Sequence, residues 1–428
     1  MDYQRQVKHH SDWDVIVCGA GVSGVAAAVS AARMGMKVML IERYGVVGGG
    51  LTLGNVTTIM GSVAGGTIRD EMTKMLQSPD DATGIDSEAA KGLLVDWLDR
   101  AGVTFRLQTP VVDALVEDGV IRGVFALTQD GIALMTAKRV IDATGDGFVS
   151  AMAGCEVMVG RDGDGLVQPC SLMYTIENVD ADCALTCTHE EDYTVFPDGR
   201  EYLAMCQKAA VEGRLPENVT IVRLYRTDRP GERLVNATQM NGVNILSDGD
   251  AELSELALRR QMDQVNRFLR EEVPGFANIR LRVSASTLGV RESRRIKGRY
   301  VLDAEDLIAG RVFDDVVVHR ANFPIDIHNP TGGGQAETDG CPHRAQPYDI
   351  PMRALQPLNV DNLILSGRCI SGSHRAHASY RVMNIAMAVG QAAGTMAAVS
   401  VRDGVAVSEL GYAPVRDALI EQGCVLSD

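Results

Sequence analysis

A glycine turn caught between two short apolar strands constrains this chain more than any other feature. Residues 14–18 (DVIVC) are apolar and rich in β-branched side chains, the pattern of a strand buried on both faces. They run into Gly19-Ala20-Gly21-Val22-Ser23-Gly24, after which Ala26, Ala27, Ala28, Ala31 and Ala32 favour a helix. Residues 37–41 (KVMLI) read as a second strand, with Glu42 at its end. Strand, G-x-G-x-x-G, helix, strand and terminal acid together form a dinucleotide-binding fingerprint. Gly19 permits the tight turn, Gly21 lets the backbone approach a pyrophosphate, and Gly24 lets helix and strand pack closely. The helix start, with Val22 and Ser23 in its first turn, offers unpaired N–H groups and the positive end of its dipole to phosphate. Glu42 is expected to accept hydrogen bonds from ribose hydroxyls.

Three further strand-like runs fill residues 111–142, joined by Asp118-Gly119 and by Gln129-Asp130-Gly131, both hairpin signals. The last run closes on Ala143-Thr144-Gly145-Asp146. Far downstream, residues 361–372 (DNLILSGRCISG) read as a strand ending in a glycine turn, followed by His374, His377, Tyr380, Arg381 and a long small-residue helix. RESRRI (291–296), PIDIH (324–328), YDIPMR (348–353) and the stretch 367–383 complete the set. With these motifs, from about residue 12 to 404, the chain resembles the FAD-dependent oxidoreductase family of the glutathione-reductase-like flavoprotein superfamily.

The resemblance implies an α/β fold: a Rossmann-like FAD-binding domain with an antiparallel β-meander insertion, plus a mixed α+β substrate or cap domain. The expected boundaries are 12–160 and 355–404 for a discontinuous FAD domain, 161–350 for the cap, and 405–428 for a C-terminal segment. It also implies non-covalently bound FAD. Beyond the fingerprint, the cofactor-binding residues it points to are Arg43, Gly48 and Gly49 after the acid, and Val112 at the meander start beside Val111. Ala143, Thr144 and Gly145 follow at its end, then Gly367 and Arg368, and finally Met383 and Asn384 at the start of the last long helix.

A flavin carries the redox step, so the protein's part is orientation, proton transfer and electrostatics. Only eight histidines occur, four of them in the C-terminal motif region: His328, His343, His374 and His377. Histidine suits acid–base work near neutrality, and His374 and His328 are the candidates to face the flavin. Arg381 and Arg291, with Arg375 behind them, are the candidates to hold an anionic or polar group of the substrate. The run from Arg294 to Arg299 reads more simply as a solvated helix face, and Arg223, Arg226, Arg229 and Arg233 as solvent-facing. Tyr380 and Tyr174 are either proton donors or packing residues. No His/Cys/Asp cluster has metal-ligand spacing.

No second G-x-G-x-x-G follows a strand, no C-x-x-C occurs, and the WxWxIP pattern of flavin halogenases is missing. The leading expectation is an oxidoreductase moving a hydride between flavin N5 and a small polar molecule. The alternatives are a flavin monooxygenase using NAD(P)H and O2, and a non-catalytic electron-relay subunit. An unidentified electron donor or acceptor is implied, and a homo-oligomer stays open.

Composition bounds the partners. The 41 Lys and Arg against 56 Asp and Glu leave a net charge of −15, which disfavours nucleic acid. No eighteen-residue apolar run is read as a bilayer span, and residues 1–14 have no signal-peptide pattern. Nine scattered cysteines fit a reducing compartment, so a cytoplasmic location is expected.

Overall fold

A computed structural model of the chain describes residues 6–77, 84–183, 185–189, 192–334 and 344–427. His343 falls outside the described residues.

Among the described residues, seven strands form the main sheet. Along it run β3 (Thr104–Arg106), β2 (Val38–Ile41), β1 (Lys8–Cys18), β6 (Gly131–Asp142), β5 (Val120–Thr128) and β4 (Val111–Glu117), and β15 (Leu363–Leu365) pairs with β6. The β1–β2, β2–β3, β1–β6 and β6–β15 pairs are parallel, while β4, β5 and β6 are antiparallel neighbours. The long strand β6 joins the two regimes. Its first half closes the meander against β5, and its end pairs Val140 with both Ile16 and Leu363. The parallel ends of β1, β2, β6 and β15 are buried throughout, as strands covered on both faces must be.

Helix α1 (Val22–Arg33) and helix α9 (Met383–Arg402) pack against each other over this sheet. Glycines permit the close approach: a Cβ on Gly390 would stand 2.1 Å from the Ser23 carbonyl oxygen, and one on Gly394 2.2 Å from that of Ala27. Helix α9 has the length and apolarity to cross a membrane, but nearly all of it is buried inside the protein. Helices α2 (Ile68–Leu76) and α3 (Ser87–Arg100) contact α1, and α4 (Phe148–Met152) follows β6.

A second, four-stranded antiparallel sheet has the order β11 (Arg280–Ser284), β8 (Tyr174–Glu177), β10 (Arg233–Asn236), β9 (Arg223–Arg226). Side chains of α5 (Tyr202–Val211) and α6 (Asp250–Glu272) share its separate core, including Leu258, Met262, Val265 and Leu269 of α6. Leu253 and Leu256, grouped with that face by their spacing, are instead 57% and 51% exposed. Leu256 lies on a cavity wall, beyond the core that buries the later turns.

The two cores divide the chain differently from the expected boundaries. Described residues between Cys170 and Ala285 supply the second core, whereas Ile296, Leu302, Val317, Ile350 and Leu355 join the core of the nucleotide unit. Pairing explains this: β12 (Arg294–Ile296) pairs with β7 (Val157–Val159), and β13 (Val316–Ala321) with β14 (Tyr348–Pro351). The flanking helix α7 (Ala304–Ile308) contributes Leu307 to the same core. In the expected C-terminal segment, Val415 and Leu419 of α10 (Tyr412–Glu421) are buried in the same core.

Candidate active site

The turns after β1, β2, β6 and β15 open into one cavity of about 2310 Å³. That exceeds the roughly 300–1,000 Å³ of ordinary ligand pockets, which leaves room for an extended dinucleotide and a second molecule. At its nucleotide arm, Gly19 has φ +100°, and a Cβ there would lie 2.5 Å from the Ala143 carbonyl oxygen. A Cβ on Gly24 would sit 1.8 Å from the Gly19 oxygen, so this glycine serves packing and is not on the wall. Gly21 differs: it lines the cavity, and a Cβ there would meet nothing within 4 Å. The 48–50 loop lies on this turn through a Gly21–Gly48 bridge and a 2.7 Å bond from Gly48 N–H to the Ala20 oxygen. Gly49 and Gly50 reach the wall, whereas Gly48 does not.

Glu42 is buried on the wall, held by Ala20 N–H at 2.6 Å and Tyr44 N–H at 2.9 Å. Each carboxylate oxygen retains acceptor capacity. Val22, Ser23, Arg43, Ala143, Thr144, Gly145, Gly367, Arg368 and Met383 also line the cavity. Val112 does not. An irregularity between Val111 and Asp113 leaves Val112 38% exposed and Val111 on the wall. Asn384 is off the wall as well, its Nδ2 donating to the Gly61 oxygen. Asp146 ties this arm together, accepting from Ser293 Oγ at 2.8 Å and pairing with Arg368 at 2.6 Å and Arg43 at 3.6 Å. Burial opposes its charge, but Arg368 and Ser293 hold its carboxyl below the usual range.

The cavity continues to a charged wall made by Arg223, Arg291, Asp326, His328 and Arg381. Asp326 and His328 are two residues apart, and both reach this wall. Arg381 caps the C-terminus of α8 (His374–Tyr380), and Arg291 follows Gly289, where a Cβ would lie 2.9 Å from the Ser171 oxygen. Arg381 Nη2 reaches the Asp326 carbonyl oxygen at 3.2 Å and its carboxylate at 3.4 Å, and His328 Nε2 stands 3.4 Å from the same carboxylate oxygen. Arg291 Nη1 donates to the Pro169 oxygen at 2.8 Å. Burial, reinforced by the Arg291 charge, pushes the His328 imidazole down to about 3, so it is neutral at pH 7. Burial also disfavours charge on Asp326, yet His328 and the guanidiniums of Arg381 and Arg223 hold it well below the usual carboxylate range. With Nε2 facing a carboxylate, the neutral ring carries its proton there, and the buried Nδ1 is an acceptor without a partner.

A family profile described as FAD dependent oxidoreductase matches residues 14–419. The chain belongs to that family. Among curated proteins it is similar to the thiamine thiazole synthase of Methanococcus aeolicus, 28% identical over 169 residues, covering 36% of this chain and 62% of the synthase. It is also similar to the urocanate reductase of Eggerthella lenta, 54% identical over 39 residues that cover 9% of this chain and 6% of the reductase. The match to the synthase thus spans less than two thirds of that relative. Among solved structures, a geranylgeranyl bacteriochlorophyll reductase-like protein from Thermoplasma acidophilum has a TM-score of 0.49 and 14% identity, covering 97% of this chain and 84% of that one.

This FAD-dependent oxidoreductase has residues that fit its cofactor. The open space at Gly21, the oriented Glu42 carboxylate and the uncapped N-terminus of α1 suit ribose and pyrophosphate. Two candidates for the chemistry, His374 and His328, part company. His374 is buried and absent from the wall, its Nδ1 2.9 Å from Glu292. Glu292 is itself enclosed with Arg295 and takes a 3.0 Å bond from Gln168 N–H. Of the two helices that follow residue 373, α9 lines the cavity, through Met383 and Ala386, whereas no residue within the short α8, which begins at His374, does so.

The 291–299 run is no solvated helix face. It contains β12, and Arg295 is buried, donating to the Gly160 and Gly372 oxygens. Arg223, set aside as solvent-facing, lines the cavity, and Arg233 is buried against the Cys183 and Leu185 oxygens. The alternation of the RLYR strand, which turns Arg223 and Tyr225 the same way, was the available signal for Arg223. Arg375 pairs with Glu305, and the Tyr380 hydroxyl donates to the Ile370 oxygen. Among the described residues, no group of three or more His, Cys, Asp or Glu is placed to hold a metal.

Proposed function

We propose that this flavoenzyme moves a hydride between the flavin and a small polar organic substrate bound at the wall of Arg223, Arg291, Asp326, His328 and Arg381. The observation that carries this reading is that the wall and the nucleotide arm belong to one cavity. The activities named for the relatives, a synthase and a reductase, differ, so the site rather than the relatives supports it. Bound FAD supplies the hydride acceptor or donor at N5. The chain supplies the rest. Arg291 and Arg381 orient a polar group, and Asp326 fixes the His328 ring through Nε2. Nδ1 accepts a hydrogen bond from the substrate O–H or N–H beside the reacting carbon. Because Arg291 is the strongest charge opposing a proton on His328, an anion bound there makes Nδ1 a better base.

We also place the chain in the glutathione-reductase-like superfamily, on the fingerprint and the meander, with FAD held non-covalently and an external electron partner. A reducing cytoplasm suits its cysteines, most of which are buried.

Anaerobic mixing tests the function. A reducing substrate should bleach the flavin directly, and His328→Ala should slow bleaching by roughly 10²–10⁴-fold with FAD retained. His374→Ala should bleach at near wild-type rate. Bleaching only with NAD(P)H would favour a monooxygenase, and equal rates in wild type and His328→Ala would overturn the role of His328.

A further inference from the structure

His328 is tied to a buried side chain that does not itself reach the cavity. We propose that Gln168 is the positioning residue of this site, setting His328 so that the ring offers Nδ1 to the bound molecule. That His328 then acts as a base rests on the proposed function; its placement by Gln168 does not.

His328 follows a stretch, residues 323–327, that belongs to no helix or strand. Side chains tie this stretch down. Ser379 Oγ donates to the Phe323 oxygen at 2.6 Å, Arg381 Nη2 to the Asp326 oxygen at 3.2 Å, and the His328 N–H donates to Gln168 Oε1 at 3.2 Å. Gln168 is fully buried and absent from the cavity wall. Its own place is fixed from behind. The Gln168 N–H donates to the buried Glu292 carboxylate at 3.0 Å, a charge-assisted bond. The same carboxylate is paired with Arg295 and stands 2.9 Å from His374 Nδ1. The next residue, Pro169, accepts from Arg291 at 2.8 Å. Residues 168 and 169 therefore hold both a histidine and an arginine of the cavity wall.

Stability alone is a poor reason for a glutamine at this position. Oε1 must face the His328 N–H, since a flipped amide would set donor against donor. Nε2 is then left buried without a partner, at a cost comparable with the gain from the Oε1 bond. A methionine would match the length with no orphan donor. What the glutamine adds is direction at His328. The ring is steered at its other end by Asp326, 3.4 Å from Nε2, so loss of the Gln168 tie lets Nδ1 drift. A reacting group misplaced by about 1 Å can cost on the order of 10²-fold in rate.

Nuclear magnetic resonance of the FAD-loaded protein, with isotope-labelled histidine, tests the placement without any substrate. The His328 signals are identified by their loss in His328→Gln. In wild type at pH 7 the ring should be neutral with its proton on Nε2, in roughly tenfold or greater excess over the other tautomer, as a hydrogen bond to a carboxylate dictates. Gln168→Met should melt close to wild type and keep its flavin spectrum, yet reduce that excess about threefold or more. Gln168→Glu, which keeps an oxygen facing the His328 N–H, should restore it. Should the methionine variant fail to fold, Gln168→Asn, polar but one methylene too short to reach His328, carries the same test. An undiminished excess in a folded, FAD-loaded variant would overturn the proposal. So would a Gln168→Glu protein that behaves like Gln168→Met, or failure of both the methionine and asparagine variants to fold. If the tautomers shift in Gln168→Met while its flavin is bleached as fast as in wild type, the placement stands and the base role of His328 falls.

Discussion

Gly21 and Gly24 are three residues apart and do opposite work. A side chain on Gly24 collides with the Gly19 carbonyl, while one on Gly21 enters space that the protein leaves open. Gly21 also has φ −64° and ψ 174°, a conformation any residue accepts. Gly21→Val is therefore expected to fold, with apo-protein melting close to wild type, yet to purify without flavin. Gly24→Ala should lose stability whether or not FAD is added. A yellow Gly21→Val protein with a normal flavin spectrum would refute the assignment of the pyrophosphate path. The histidines carry the same lesson, since His328 and His374 look alike in the sequence but only His328 reaches the cavity.

At the scale of elements, the α1–α9 contact sets the position of two helix starts, because both helices begin at the cavity. Replacing a helical glycine by alanine ordinarily gains about 1 kcal/mol of propensity. At Gly394 the new Cβ would lie 2.2 Å from the Ala27 carbonyl oxygen, and overpacking of this kind costs about 1–3 kcal/mol. Packing should win. Gly394→Ala is expected to melt lower than wild type and to bind FAD more weakly, as the two helices are forced apart. A raised melting temperature would show that the helices separate at no cost.

Across the whole molecule, buried neutral histidines couple stability to pH. Burial and nearby arginines lower both His328, to about 3, and His377, well below its ordinary value. Below pH 6.5 the unfolded chain binds protons that these folded sites refuse, so stability falls on acidification through that range and is retained above it. At pH 5, 1.5 units below the ordinary histidine value, the loss is about 2 kcal/mol per histidine. Thermal melts of the FAD-loaded protein between pH 8 and pH 5 should show this decline, and His328→Gln should flatten it. An unchanged slope in that variant would mean that the ring is charged in the folded protein.

The sequence by itself determined the nucleotide arm and much of the main sheet. A strand, a glycine turn, a helix and an acid within about thirty residues report a local backbone path, and period-two runs broken by Asp-Gly report a meander. Such patterns need no knowledge of distant residues. Tertiary structure alone decided which charged side chains meet. Arg223, Arg291, His328 and Arg381 converge from separate segments, while His374, a candidate alongside His328 in the sequence, is enclosed with Glu292 and Arg295. It also decided core membership, because β7–β12 and β13–β14 pairing draws residues 294–321 and 348–355 onto the nucleotide core. The physical reason is one of range: backbone hydrogen bonds and face periodicity are written within a few turns, but a side chain's burial and charge partners depend on which distant segments pack against it.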